Sequence, residues 1–252
     1  MHNSVVGHRP DLIYAPCCGH RGDGMTRKKN YWETIAEHIA EVVGARQIED
    51  VLHFTRLENL SGILEHGLLS RSVLRNADYG VYVSDADRLD REDDAISVSI
   101  SCYYPKMFEA KRHRSGDEPW VILVLHPSLL WNYPCRFHRN GAATNATKYQ
   151  SGTTHGGFAL YKLFDDFPMT MDSTKTSFRA EYGLPISWPT SSDSEVQVMS
   201  PIHPNYVMGA WIETPEHYEF VQAAFATKGR KECKVVVQPF SPRICRKPYC
   251  WG

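Results

Sequence analysis

The stretch HFTRLENLSGILEHGLLSR, His53 to Arg71, changes its period partway along. Val51-Leu52-His53-Phe54 at its start reads as a short strand. Leu57, Leu60, Ile63 and Leu64 then recur at helical spacing until Gly67, which can cap a helix. On the strand, His53 and Thr55 point to the same side and can offer donors and acceptors to one ligand. Gly62 lets a backbone come close to something, and a glycine inside a helix otherwise costs ~1 kcal/mol relative to alanine. The same residues also describe a satisfied core histidine beside an ordinary helix, so the stretch by itself leaves both readings open.

Working outward, Met1 to Asn30 holds glycine, proline, cysteine and short basic pieces without periodicity, and reads as an extended arm. Trp32, Ile35, Ile39, Val42 and Val43 fall on one helical face that Gly44 can end. On the other side, Ile96, Val98, Ile100 and Cys102 alternate with Ser97, Ser99 and Ser101, the pattern of a strand with one polar face. Trp120 to Leu125 is a continuous apolar run, expected to be a strand buried on both sides. Glu195 to Met199 alternates again, and Val235 to Gln238 closes the set. Helix candidates lie near His155 to Phe164 and Glu216 to Thr227. Tyr182 to Ser194, rich in Pro, Ser and Thr, reads as a mobile loop ahead of an active-site edge. The order lacks the βαβα rhythm of a doubly wound sheet. The expectation is one α+β domain, with an N-terminal arm and helix over 1–45 and the main body over 46–252.

The 252 residues carry 28 Lys+Arg against 29 Asp+Glu, which excludes a strongly basic protein that coats nucleic acid. An apolar share of 42% is enough for a packed core. No apolar run approaches the roughly 18–20 residues of a membrane span, and the N-terminus lacks the order of a signal peptide. Seven cysteines at irregular spacings agree with a cytoplasmic chain rather than a disulfide framework. Cys17, Cys18, His20, Cys245 and Cys250 do not make a good zinc pattern, because adjacent cysteines depart from the usual C-x₂₋₄-C pair.

Three polar patterns remain. Asp85 to Asp94 is a charged run containing Arg88, which a solvated turn explains. Asp193, Glu195 and Gln197 share one face of a strand, where they must meet solvent or a ligand or bear a desolvation cost. Edge-strand solubility explains that row almost as well as catalysis does. Basic residues cluster at Lys106, Lys111, Arg112, His113 and Arg114, and again from Lys228 to Lys247, with Tyr103, Tyr104, Tyr249 and Trp251 as stacking faces for bases.

Taken in order, these blocks resemble the DarT family of toxins, which transfer ADP-ribose from NAD⁺ onto nucleobases. The resemblance runs through HFTRLENLSGILEHGLLSR, ADRLDRE (Ala86 to Glu92), ISVSISCYYPKMF (Ile96 to Phe108), WVILVLHPSLLW (Trp120 to Trp131), RNGAATNA (Arg139 to Ala146) and SDSEVQVMSPIHPNYV (Ser192 to Val207). It implies the ADP-ribosyltransferase fold, a split, mostly antiparallel β-core with flanking helices. It implies NAD⁺ as consumed co-substrate, with His53, Phe54, Thr55, Asn59, Gly62 and Leu69 as cofactor contacts. Arg88 matches the family's catalytic arginine and Glu195 its catalytic glutamate. Asp193 stands where related transferases engage the acceptor, with Tyr104, Lys106, Lys111 and Arg112 nearby. Ser101 to Phe108 differs from the Arg-Ser-Pro-Met-Leu stretch of thymidine-modifying members, so the acceptor base stays open.

The residue types suit the chemistry. Breaking the nicotinamide–ribose bond develops positive charge on the sugar, which a fixed carboxylate stabilises. An arginine fork fits pyrophosphate or acceptor, and no metal is needed. The expected function is ADP-ribosylation of a base in single-stranded nucleic acid, DNA ahead of RNA, by a toxin with a cognate antitoxin such as a macrodomain hydrolase. The alternative is an idle NAD- or nucleic-acid-binding module of the same fold.

Overall fold

A computed structural model describes residues 30–75, 92–141, 153–171 and 174–240. In chain order the elements are α1 Tyr31–Ala45, β1 Val51–Arg56, α2 Leu60–His66, α3 Arg71–Leu74, β2 Ile96–Ile100 and α4 Pro105–Ser115. They continue with β3 Trp120–Leu125, α5 Leu129–Asn132, β4 Cys135–His138, α6 Gly156–Lys162, β5 Pro168–Met171 and β6 Thr174–Ser177. The last are α7 Phe178–Glu181, β7 Glu195–Val198, β8 Val207–Ile212, α8 Tyr218–Thr227 and β9 Lys234–Val237.

Among the described residues seven strands form one sheet in the order β4-β7-β2-β1-β3-β8-β9, and β5 and β6 make a separate hairpin. All neighbours in the large sheet are antiparallel except β8 and β9, which run parallel. This is the expected α+β architecture. β1 pairs with β3 over six residues, from Val51↔Leu125 to Arg56↔Trp120. Towards β2 it pairs only at Val51↔Ile100 and Leu52↔Ser99. The sheet therefore divides beside His53 into a half with β4, β7 and β2 and a half with β1, β3, β8 and β9.

Both faces are covered. Val51, Val121, Leu123 and Leu125 lie in the larger core with Ile39 and Val43 of α1, Leu60 and Leu64 of α2, Leu160 of α6 and Phe225 of α8. Leu52, Trp120 and Ile122 alternate onto the other face, under Tyr103 and under Phe108 of α4. β3 is accordingly buried on both sides, as its apolar run predicts. The helix α1 begins at a capping box, in which Asn30 Oδ1 accepts the Glu33 N–H at 2.9 Å and Glu33 Oε2 accepts that of Asn30 at 2.9 Å. Its far end is held where the Arg46 guanidinium lies over the rings of Tyr161, at 5.2 Å, and Phe164, at 4.8 Å. Trp32, at a core-facing position by periodicity, is 72% exposed. Among the described residues no helix is long and apolar enough to cross a membrane.

The structure departs from the sequence reading in two places. β7 is not an edge strand: it lies between β2 and β4, with Val196 opposite Val98 on one side and Phe137 on the other. The segment before it is also fastened rather than loose. Arg179 donates to the carbonyls of Pro185 and Trp188 at 2.8 Å each and to Thr190 Oγ1 at 3.0 Å, and the Thr190 N–H donates to the Leu163 carbonyl at 2.8 Å. Missed altogether were β4, the β5–β6 hairpin and β8. Gly209 stands inside β8 because a Cβ there would sit 2.4 Å from the Lys234 carbonyl oxygen, so the approach of β9 demands glycine.

Candidate functional site

Where the two halves of the sheet part, a side chain takes over from the backbone ladder. The carbonyl of Ser97 on β2 accepts a hydrogen bond from His53 Nδ1 at 2.9 Å. A carbonyl can only accept, so Nδ1 carries the proton and Nε2 presents a lone pair. Burial pushes the His53 imidazole down from 6.5 to about 4; the bond to Ser97 opposes this, and the Lys111 charge adds to it. At neutral pH the ring is thus an uncharged acceptor.

This has a measurable consequence for stability. Below its ordinary value of 6.5 the unfolded chain binds a proton at residue 53 that the folded chain refuses until about pH 4. Stability from this group is present above pH 6.5 and is lost as the pH falls towards 4, at up to about 1.4 kcal/mol per pH unit. Urea unfolding of the wild type and of His53→Asn between pH 7 and 4 should show the steeper acid limb in the wild type. Identical slopes would remove this account of the buried imidazole.

Ser97 also reaches the other way. Its hydroxyl donates to Glu195 Oε1, so one residue of β2 touches both the histidine and the glutamate singled out by sequence. Glu195 opens β7 half-buried. Gln197, on the same face and 1% exposed, accepts from His138 Nε2 at 3.1 Å. The polar row on β7 is therefore satisfied inside the chain, as burial requires. Ser97 escaped the sequence reading as a site residue; the only trace of it was the serine face of its strand.

The remaining candidates separate. Phe54, alternating with His53, faces the other way and packs against Phe108 and Trp120, with ring centroids at 5.0 and 6.3 Å. The Lys111 ammonium sits 5.2 Å from the Phe54 centroid and close enough to His53 to influence it. Thr55 Oγ1 accepts from Asn59 Nδ2 at 3.0 Å, which ties β1 to the start of the following helix. A Cβ on Gly62 would meet nothing within 4 Å, so that face of α2 is open, and Leu69 is half-buried after it. Lys106 is exposed on the first turn of α4, whereas Arg112 is clasped by Glu213, at 2.6 Å, and by Glu109, at 3.3 Å. Tyr104 precedes α4; burial and the Asp193 charge both raise its phenol. Asp193 accepts hydrogen bonds from Ser191, Asn140 and Gly141. Arg88, with the charged run around it up to residue 91, lies outside the described residues, as do Cys17, Cys18, His20, Cys245 and Cys250.

The set brought together is His53, Ser97 and Glu195, with Lys111 near the histidine and Asp193 near Tyr104. A neutral imidazole acceptor and a carboxylate held side by side suit a ligand rich in hydroxyls. The thiols of Cys102 and Cys135 are pushed up to about 12 by burial, which keeps them protonated and unsuited to nucleophilic work.

The family model described as ssDNA thymidine ADP-ribosyltransferase, DarT, matches residues 52–243, roughly three quarters of the chain. It extends past Val207, where the last of the resembling sequence blocks ends. Among solved structures, Thermus sp. 2.9 DarT in complex with carba-NAD⁺ superposes with a TM-score of 0.50 at 14% identity, over 77% of this chain and 97% of that one. Thermus sp. 2.9 DarT in complex with ADP-ribosylated ssDNA gives a TM-score of 0.50 at 13% identity, over 76% and 95%. At such identities the likeness is one of fold. No curated protein matches the sequence significantly.

Proposed function

The chain belongs to the DarT family of ssDNA thymidine ADP-ribosyltransferases, and from that membership we propose that His53, Ser97 and Glu195 carry an NAD⁺-dependent transfer of ADP-ribose onto a base of single-stranded DNA. The observation that supports this most is the hydroxyl of Ser97 on Glu195 together with its carbonyl on His53. An idle binding module would have no use for a carboxylate fixed in this way.

NAD⁺ supplies the ADP-ribosyl group, and nicotinamide is the leaving group. Glu195 faces the positive charge that builds on the ribose as the glycosidic bond breaks, and then takes the proton that the acceptor base gives up as its bond to the ribose forms. Ser97 donates its hydroxyl to Oε1, which holds the carboxylate in place for that work. His53 Nε2 accepts a hydroxyl of the co-substrate, a contact that needs the unprotonated ring. The open side of α2 at Gly62, with Asn59 and Leu69, lines the rest of that subsite. Arg88 is the cation proposed for the pyrophosphate or the acceptor. Lys111 and Lys106 are better placed than the clasped Arg112 to meet DNA phosphates.

A base carrying ADP-ribose blocks templating, so an active chain endangers the cell that makes it. We therefore read it as the toxin of a pair, restrained by an antitoxin such as a macrodomain hydrolase that removes the adduct. The experiment is to incubate the protein with labelled NAD⁺ and separate pools of single-stranded DNA with and without thymidine, duplex DNA, RNA and protein. Label should enter the thymidine-containing single strands. Label confined to RNA or protein would overturn the reading, and equal labelling of strands without thymidine would overturn the choice of base.

A further inference from the structure

Asp193 stands two residues before Glu195, where the resemblance aims it at the acceptor, but its carboxylate is already engaged within the chain. Oδ1 accepts from Ser191 Oγ at 2.5 Å and from Asn140 Nδ2 at 3.3 Å, and Oδ2 accepts from the Gly141 N–H at 3.3 Å. Beside it, Ser194 Oγ donates to the Arg139 carbonyl at 2.8 Å. The Ser194 N–H closes a turn onto the Ser191 carbonyl at 3.2 Å. We propose that Asp193 is a positioning residue: with Asn140 it latches the turn ahead of β7 to the end of β4, and so holds Glu195 against Ser97 without contacting the acceptor. The inference rests on Glu195 being the carboxylate that acts on the ribose.

The ladders show why a latch is required. The β2–β7 register ends at Val98↔Val196, one residue short of Glu195. The β4–β7 register ends at His138↔Glu195 itself. Glu195 is thus the last rung on one side and beyond the last on the other, where strands open most readily. The Asp193, Ser191 and Ser194 side chains extend the joining of the two segments through residues 139–141, so the end of β7 lies inside a fastened region. Three donors also fill most of the roughly four lone-pair sites of a carboxylate. An aspartate directed at DNA would in addition repel the phosphates that flank the target base.

The test compares Asp193→Ala, Asn140→Ala and the double variant, using NAD⁺ and a thymidine-containing oligonucleotide, with amide hydrogen exchange read on the same proteins. Each single variant should lower kcat about tenfold through misplacement of Glu195. KM for the oligonucleotide should stay within about twofold, since no binding contact is lost. The double variant should be no worse than the poorer single, because both break one device. Asp193→Asn, which can still accept from Ser191, should fall between wild type and alanine. Exchange at the Glu195 and Val196 amides should quicken about tenfold while the amides of β3 keep wild-type protection, which shows that the fold is intact. A raised KM for the oligonucleotide in Asp193→Ala with Asn140→Ala unaffected would overturn the proposal, as would unchanged exchange at Glu195. Exchange needs no substrate, so it decides the latch even if the wild type transfers nothing to DNA, an outcome that counts against the functional reading alone.

Discussion

Glu195→Ala should abolish transfer to single-stranded DNA, with kcat falling by roughly 10³-fold, the scale seen when one preorganised group facing developing charge is removed. In the proposed role the carboxylate acts on charge that exists only as the glycosidic bond breaks, so NAD⁺ affinity should change no more than a few-fold. The fold should survive, because residue 195 keeps its backbone place in the ladder opposite His138 whatever its side chain. Glu195→Gln separates the two duties: an amide oxygen still accepts from Ser97 but carries no charge. It should therefore be folded as the wild type and nearly as inactive as alanine. Single-turnover transfer at saturating NAD⁺, with NAD⁺ binding measured by calorimetry, checks both. Wild-type transfer by either variant would remove Glu195 from the mechanism.

Gly67→Ala should lower thermal stability by about 3–4 kcal/mol, or roughly 10 °C in Tm for a chain of this size. Gly67 ends α2 at φ 87° and ψ −179°, backbone that is essentially glycine's alone. A Cβ there would lie 2.2 Å from the Ile202 carbonyl oxygen, which accepts the Leu68 N–H at 2.9 Å. Relief would require breaking the mutual bonds of Leu68 and Ile202, with Leu69 following them out of place. Circular dichroism melts of wild type and variant make the comparison, and a Tm within about 2 °C would contradict this packing.

How far the sequence could be read depended on whether a residue's partner lay near it. α1, the β1-to-α2 stretch, β2, β3 and β7 carry their own periodicity and were placed closely. β4 is four residues long and β8 carries a glycine in its apolar run, so neither shows a pattern distinct enough to be seen. α4 is a poor amphipath that buries only Pro105 and Phe108; it is held by the aromatic contacts of Phe108 with Phe54, Trp120 and Phe240. His53 and Glu195 stood out through family resemblance, but the serine that joins them did not, because the Ser97–Glu195 contact spans 98 residues. The edge-strand alternative for the polar row of β7 fell for the same reason: only the position of β4 makes it an inner strand.

That long reach has a bearing on how the chain is made. β1, β2 and β3 can pair as soon as the first half has been synthesised, whereas β7 must then slot between β2 and β4. Pairings so distant in sequence form late, and a chain leaving the ribosome offers its N-terminal strands first. Until Glu195 to Val198 emerge, the outer edge of β2 is an open template, alternately apolar and polar over Ile96 to Ile100. On the role proposed for Glu195, a nascent chain is harmless to DNA until about four fifths of it exists, and through that interval it is most exposed to mispairing along β2.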